Sequence, residues 1–281
     1  MEVLRTPETV RAFSRAVRTE GGTVGFVPTM GALHRGHLEL AATAARECSA
    51  VVMSIYVNPT QFNVQSDFDR YPRTLGSDLE KAEAAGVHAV FAPETSTMYP
   101  VGFDTTVHVD RTAAPLEGSG RPGHFDGVAT IVSKLLIAVE PDVAVFGQKD
   151  YQQLAVVRRM VADLGLPVRI IGADTVREDD GLAMSSRNER LDAPSRRAAP
   201  VIKQALDAAA AVISSGGAPA EAKARFAAVL VQEPLARLEY VSVADAVSLE
   251  EAETAAGAPV VVSCAVWFGD VRLIDNVVVG S

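Results

Sequence analysis

Two histidines, His34 and His37, stand three residues apart in the stretch Pro28-Thr29-Met30-Gly31-Ala32-Leu33-His34-Arg35-Gly36-His37. At the start of a helix that spacing brings both imidazoles to one side of the first turn. Gly31 and Gly36 lack a Cβ, so a bulky anion can come close to the backbone there. An apolar run over residues 23–27 precedes the stretch, and an amphipathic pattern over residues 38–45 follows it. Strand, glycine turn and helix together aim unpaired helix N–H groups at an anion. The chemistry within reach is phosphate handling. The same order of elements also occurs in doubly wound folds where one histidine is a cap and the other a core residue. Spacing alone leaves both readings open.

Three further stretches carry polar groups of a matching kind. Asn58-Pro59-Thr60-Gln61-Phe62 follows a second apolar run, and the Gln61 amide can bond a hydroxyl or a carboxylate. In Gly147-Gln148-Lys149-Asp150-Tyr151-Gln152-Gln153, Gly147 permits close backbone approach and Lys149 offers a point charge for phosphate. Asp150 can cap the next helix or bond a ribose, and Gln153 falls in that helix's first turn. In Met184-Ser185-Ser186-Arg187-Asn188, two hydroxyls beside an arginine suit phosphate oxygens, although such turns are also common on surfaces. Glu117, Arg121 and His124 lie in a Gly-rich stretch that reads equally as a catalytic lid or a solvated loop. Asp67, Asp69 and Asp78 are scattered and form no metal-ligand pattern. A magnesium ion carried in on nucleotide phosphates needs few protein ligands.

The elements that must position these residues follow from periodicity. Residues 7–18 read as a helix, with Thr6 as N-cap, Pro7 at its first position and Val10, Phe13, Ala16 and Val17 facing the core. Strands are expected over residues 23–27, 50–57, 88–92, 105–109, 142–146 and 168–172, and helices over residues 75–85, 127–139 and 151–164. Residues 116–126 are too rich in glycine for regular structure. This alternation predicts an α/β fold over residues 1–175, a doubly wound, Rossmann-like parallel sheet. In such a sheet the loops after several strands converge at the strands' C-terminal edge, where ligands sit. Beyond residue 175 the pattern changes. A polar hinge (residues 174–188), two Ala-rich helices (196–214 and 220–232) and three strands (239–244, 260–268 and 271–279) predict a smaller α+β domain over residues 176–281. Gly269-Asp270 is the hairpin signal between the last two strands.

Composition narrows the partners. Of 281 residues, 48% are hydrophobic and 22% charged, the balance of a globular protein with a sizeable core. The formal net charge of −9 disfavours nucleic acid and anionic membrane surfaces as general partners. Two cysteines, Cys48 and Cys264, signal neither zinc nor a disulfide framework. No signal-peptide core opens the chain and no apolar run nears the ~20 residues of a membrane span, so the cytoplasm is expected.

Taken together, the stretch from Pro28 to His37, Val57-Asn58-Pro59-Thr60-Gln61-Phe62, Tyr71-Pro72-Arg73-Thr74, Gly147 through Gln153, and Met184 through Asn188 closely resemble the pantothenate synthetase family, in order and over nearly the whole chain. The resemblance implies a ligase that joins pantoate to β-alanine through a pantoyl-adenylate, cleaving ATP to AMP and pyrophosphate. It implies an ATP site of Met30, Gly31, His34, Gly36, His37, Gly147, Gln148, Lys149, Asp150, Val176, Met184, Ser185, Ser186 and Arg187. Within that set His37 acts at the phosphates, with His34, Lys149, Ser185, Ser186 and Arg187 as the other catalytic groups. Gln61 and Gln153 would hold pantoate, and β-alanine would bind near Gln61. Mg2+ would arrive on the ATP phosphates, and a homodimer is implied. Position 148 is Gln148 where some relatives carry glutamate, and Ser77-Asp78 stands where some carry two carboxylates. An acyl-adenylate has a good leaving group, so no Ser-His-Asp or Cys-His arrangement is required. The competing expectations are an adenylyltransferase that leaves AMP on its product and a nucleotide-binding regulatory module without catalysis.

Overall fold

A computed structural model describes residues 1–254 and 257–280. They form two compact units, Met1–Gln148 with Gln153–Asp174, and Lys149–Gln152 with Thr175–Ser281.

The first unit runs β1 (Glu2–Leu4), α1 (Pro7–Thr19), β2 (Val24–Thr29), α2 (Arg35–Glu47), β3 (Ala50–Ile55), α3 (Gln65–Arg70), α4 (Leu75–Ala84), β4 (Ala89–Phe91), α5 (Thr95–Met98), α6 (Glu117–Gly120), α7 (His124–Val139), β5 (Val143–Gly147), α8 (Tyr151–Asp163) and β6 (Arg169–Ala173). All six strands are parallel, in the order β1-β4-β3-β2-β5-β6. The strands read as continuous apolar runs because both faces are covered. Phe26, Val52, Phe91, Ala144 and Phe146 point to a core shared with α1, α7 and α8. The alternate residues Val27, Val51, Met53, Val90 and Val145 meet Ala41, Ala44 and Ala82 of α2 and α4 on the other face. The chain thus has the doubly wound α/β architecture. Strand order reverses between β2 and β5, which pair at Gly25 with Val143 and Phe26 with Ala144. That switch point is where loops diverge and leave a crevice.

The second unit contains α9 (Ala193–Ala198), α10 (Val201–Ser214), α11 (Pro219–Leu230) and the antiparallel sheet β7 (Ala236–Asp245), β8 (Val260–Phe268), β9 (Val271–Val279). Ile202, Leu206 and Ile213 of α10 and Phe226 and Leu230 of α11 pack on Val243, Val262, Val266 and Leu273 of the sheet.

Thr6 caps α1 through its hydroxyl, with Pro7 at the first helical position, as its sequence requires. Three expectations change, and one strand is added. Residues 105–109 belong to no strand; the Val107 N–H goes to Thr130 Oγ1 of α7 at 2.9 Å, so a side chain replaces a ladder partner. Residues 116–126 are not one loop: α6 forms there, and α7 starts at His124 after Gly123 turns at φ +77°. The glycines mislead because Gly118 serves packing, a Cβ there falling 1.7 Å from the Ala113 carbonyl oxygen. The expected single helix over residues 196–214 is split between α9 and α10 at Pro200, which has no N–H to continue the ladder. The edge strand β1, only three residues long, carries no periodic signal and is held by register with β4.

Candidate active site

The His stretch leaves β2 at the switch point and enters α2. Gly31 (φ +85°) and Ala32 (φ +51°) turn the chain through the left-handed region. His34 is then extended (φ −131°, ψ 173°) as the N-cap of α2. Its Nδ1 accepts the Gly36 N–H at 3.2 Å, while its own N–H donates to His37 Nδ1 at 3.3 Å. The rings lie 4.1 Å apart, tilted by 38°. Sequence spacing brought the imidazoles together, but the cap and its third residue do so through reciprocal bonds rather than as two helical neighbours. Because each Nδ1 accepts a backbone N–H, the neutral form of each ring carries its proton on Nε2.

The free-N–H picture from sequence is corrected here. Gly31 N–H donates to Thr29 Oγ1, and Ala32 and Leu33 N–H donate to the buried Asp78 carboxylate. Gly36 N–H is taken by His34 Nδ1 and His37 N–H by the His34 carbonyl. The loop satisfies these donors internally, and the start of α2 adds the positive end of the helix dipole.

Beside β3, Asn58 precedes a 3-10 turn, Pro59–Gln61. Gln61 Nε2 lies 2.9 Å from Met30 Sδ, and its Oε1 accepts from Asn58 Nδ2 at 3.2 Å. Met30, His34, His37 and Gln61 are all half-buried. The turn is braced from four directions. Asn58 Nδ2 donates to the Gly127 carbonyl and Tyr99 Oη donates to Asn58 Oδ1 at 2.8 Å. Burial pushes the Tyr99 phenol above its ordinary value, which keeps it a donor. His124 Nδ1 and Arg121 Nη2 both reach the Gln61 carbonyl, at 2.8 and 3.3 Å, and Arg121 Nη1 meets His124 Nε2. His124 is buried, so the lid-or-loop alternative resolves to a support for Gln61 in this structure. Asn58, Asp78 and Tyr99 are further contributors that sequence reasoning left without a role. A carboxylate 45 residues from Leu33, or a phenol 41 residues from Asn58, carries no local signal for such contacts.

Gly147 closes β5, the strand beside β2, and Gln148 opens the 3-10 turn that follows. The direction of a Cβ at Gly147 is open space, so chain packing does not demand glycine there. Gln148 Nε2 donates to the Gly172 carbonyl at 3.3 Å. Gln153 is half-buried on α8.

The remaining expected residues lie in the second unit. Met184 N–H bonds the Val176 carbonyl at 3.0 Å, closing a narrow hairpin whose Arg177 pairs with Ala183. Arg177 also forms a bidentate pair with the buried Asp275 at 2.6 and 3.0 Å. Ser185 caps the 3-10 turn Ser186–Arg190 by accepting the Arg187 N–H at 3.3 Å. Lys149, Ser185 and Arg187 line one cleft with Arg272. Lys149 Nζ is 3.6 Å from Asp150 Oδ1, and Asn276 of β9 holds the Lys149 carbonyl at 2.9 Å. Three cations and the Ser185 hydroxyl therefore share one surface with the Asp275 carboxylate, and the cationic surplus suits anion binding. Among the described residues no group of three or more His, Cys, Asp or Glu is placed to hold a metal ion, and no helix is long and apolar enough to cross a membrane.

A family model described as pantoate-beta-alanine ligase matches residues 2–278. This chain belongs to the pantoate-beta-alanine ligase family. As a member of that ligase family it is an enzyme, and its relatives match it end to end. The pantothenate synthetase of Herpetosiphon aurantiacus is 50% identical over 279 residues, covering 99% of this chain and 100% of the relative. That of Chloroflexus aurantiacus is 52% identical over 277 residues, covering 98% and 97%. The crystal structure of pantothenate synthetase from Thermus thermophilus superposes with a TM-score of 0.92 at 46% identity, covering 99% of each chain. A pantoate-beta-alanine ligase from Francisella tularensis, complexed with beta-gamma ATP and beta-alanine, superposes with a TM-score of 0.79 at 31% identity, covering 99% of this chain and 97% of that one. The six-stranded parallel sheet with a separate three-stranded unit is thus the fold of pantoate-beta-alanine ligases.

Proposed function

We propose that the protein condenses pantoate with β-alanine to pantothenate, using ATP and passing through a pantoyl-adenylate. The observation that carries this reading is the histidine pair at the switch point, each ring with Nδ1 committed to a backbone N–H. Two Nε2–H donors placed there can face the phosphate chain of a nucleotide. A pantoate carboxylate oxygen attacks the α-phosphorus, the bond to the β-phosphate oxygen breaks, and pyrophosphate leaves. Repulsion between the two anions and the charge gathering on pyrophosphate must be offset by preorganised donors. His34, His37, Lys149, Ser185, Ser186 and Arg187 are the groups assigned to that task, with His37 acting at the phosphates. Met30, Gly31, Gly36, Gly147, Gln148, Asp150, Val176 and Met184 complete the ATP contacts. Gln61 and Gln153 hold pantoate, Gln61 from a turn braced by Asn58 and His124.

In the second half the β-alanine amine, bound near Gln61, attacks the acyl carbonyl. The C–N bond forms, AMP departs with its bonding electrons, and the amine proton passes to solvent. No protein nucleophile is needed. Mg2+ belongs to this reading as the ion on the ATP phosphates. Asp78 is not assigned to it, since its carboxylate already accepts three donors. The family resemblance adds a cytoplasmic homodimer to the proposal.

The deciding experiment is isotope exchange. With ATP and pantoate but no β-alanine, labelled pyrophosphate should enter ATP; adding β-alanine should release AMP with pantothenate. An active preparation without exchange would refute a reversible adenylate step, and AMP retained on the product would make the protein an adenylyltransferase.

A further inference from the structure

The loop that carries the histidine pair is gripped from behind by α4. We propose that Asp78, together with Lys81 one turn later, is the positioning residue that sets both imidazoles for the reaction, an inference that rests on the pair's role at ATP. Asp78 has no exposed surface. A carboxylate is seldom buried unless its oxygens are fully engaged. Here Oδ1 accepts the Leu33 N–H at 2.8 Å, and Oδ2 accepts the Ala32 N–H at 3.0 Å and the Thr74 hydroxyl at 3.0 Å. Lys81 Nζ donates to the Leu33 carbonyl at 2.8 Å. One helix therefore holds Leu33 by both its N–H and its C=O, immediately before the N-cap His34.

The grip is needed because the turn is unfavourable on its own. Ala32 sits at φ +51°, a left-handed conformation that costs any residue with a Cβ. Charge-assisted bonds from a carboxylate and an ammonium are strong enough to over-determine it. The fit is close: a Cβ at Gly31 would stand 2.9 Å from Asp78 Oδ2. The direction in which His34 leaves this turn decides whether its N–H reaches His37 Nδ1, and that bond in turn keeps the His37 proton on Nε2. A buried negative charge behind a site for phosphates opposes ligand binding electrostatically. Its presence is accounted for by geometry, since an amide in its place offers one acceptor oxygen where two are used.

The test uses Asp78→Asn in the full chain, with Lys81→Met, at an exposed residue, as the second variant if the first does not fold. Nitrogen-15 NMR of labelled histidine should give the Nε2–H tautomer for both rings in the parent protein and a mixed pattern in either variant. In pantothenate synthesis, kcat/KM for ATP should fall about 10- to 100-fold, the loss expected for a reacting group displaced by a fraction of an ångström to 1 Å. Added to His37→Ala, either substitution should cost little more, because it acts through that ring. Parent-like tautomers with parent-like kcat/KM overturn the proposal, as does a loss that multiplies in full on His37→Ala. A parent protein that makes no pantothenate refutes the functional reading instead, and the tautomer comparison still decides the role of Asp78.

Discussion

Replacing Gly127 with alanine separates two effects that usually travel together. Gly127 lies inside α7, where alanine is the better helix former by about 1 kcal/mol. Yet a Cβ there would fall 2.4 Å from the Thr60 carbonyl oxygen, 2.6 Å from its carbonyl carbon and 2.8 Å from the Gln61 nitrogen. All three are backbone atoms of the 3-10 turn, so no side chain can swing away. The turn and the helix must part by about 0.6 Å to restore the 3.0 Å that real contacts respect. Overpacking of that kind costs ~1–3 kcal/mol, which leaves a net loss of ~0–2 kcal/mol after the helix gain. The displaced residue is Gln61, and the Asn58 bond to the Gly127 carbonyl is strained with it. KM for pantoate should rise about tenfold, in keeping with the cost of sub-ångström misplacement at a site. Gly76→Ala is the control, for a Cβ there meets nothing within 4 Å. It should stabilise by up to about 1 kcal/mol and leave KM alone. Urea unfolding and a coupled AMP assay read both quantities. A Gly127→Ala protein with parent stability and parent KM would refute the claim that α7 seats Gln61.

Two further outcomes follow from the same structure. His37→Ala should lower turnover by about 10²–10³-fold, the loss typical of one preorganised donor. It removes the acceptor for the His34 N–H and a half-buried ring in contact with His34, so Tm should fall by no more than about 4 °C; a loss of several kcal/mol would return His37 to a core role. Tyr56 is buried and its hydroxyl has no partner of hydrogen-bond geometry among the described residues, although Thr95 lies near enough to offset part of the shift. Burial pushes its phenol up to about 12. The unfolded chain releases this proton near pH 10 while the folded chain keeps it, so stability falls as pH rises from about 10 towards 12. Tyr56→Phe should therefore gain up to about 1 kcal/mol at neutral pH and flatten the alkaline loss of Tm. Equal or lower stability in the variant would contradict an unsatisfied hydroxyl.

Much of the molecule is legible in the order of its residues. The apolar runs of β2, β3 and β5, the capping pattern of α1 and the hairpin between β8 and β9 are local signals, set by neighbours a few positions apart. They specify a parallel α/β unit followed by an α+β unit, and the spaced motifs specify the ligase family. The errors fell where local and tertiary demands differ. Gly118 breaks no helix because its missing Cβ is a packing requirement, and residues 105–109 alternate like a strand but bond to a helix side chain. Only the tertiary structure decided how the site is held. Asp78 meets the His stretch across 45 residues, and His124 meets Gln61 across 63. Those bonds take up the Ala32 and Leu33 N–H groups and fasten the Gln61 carbonyl. A residue's type states which bonds it can make, whereas the fold states which partner comes within 3 Å, and no periodicity along the chain encodes that distance.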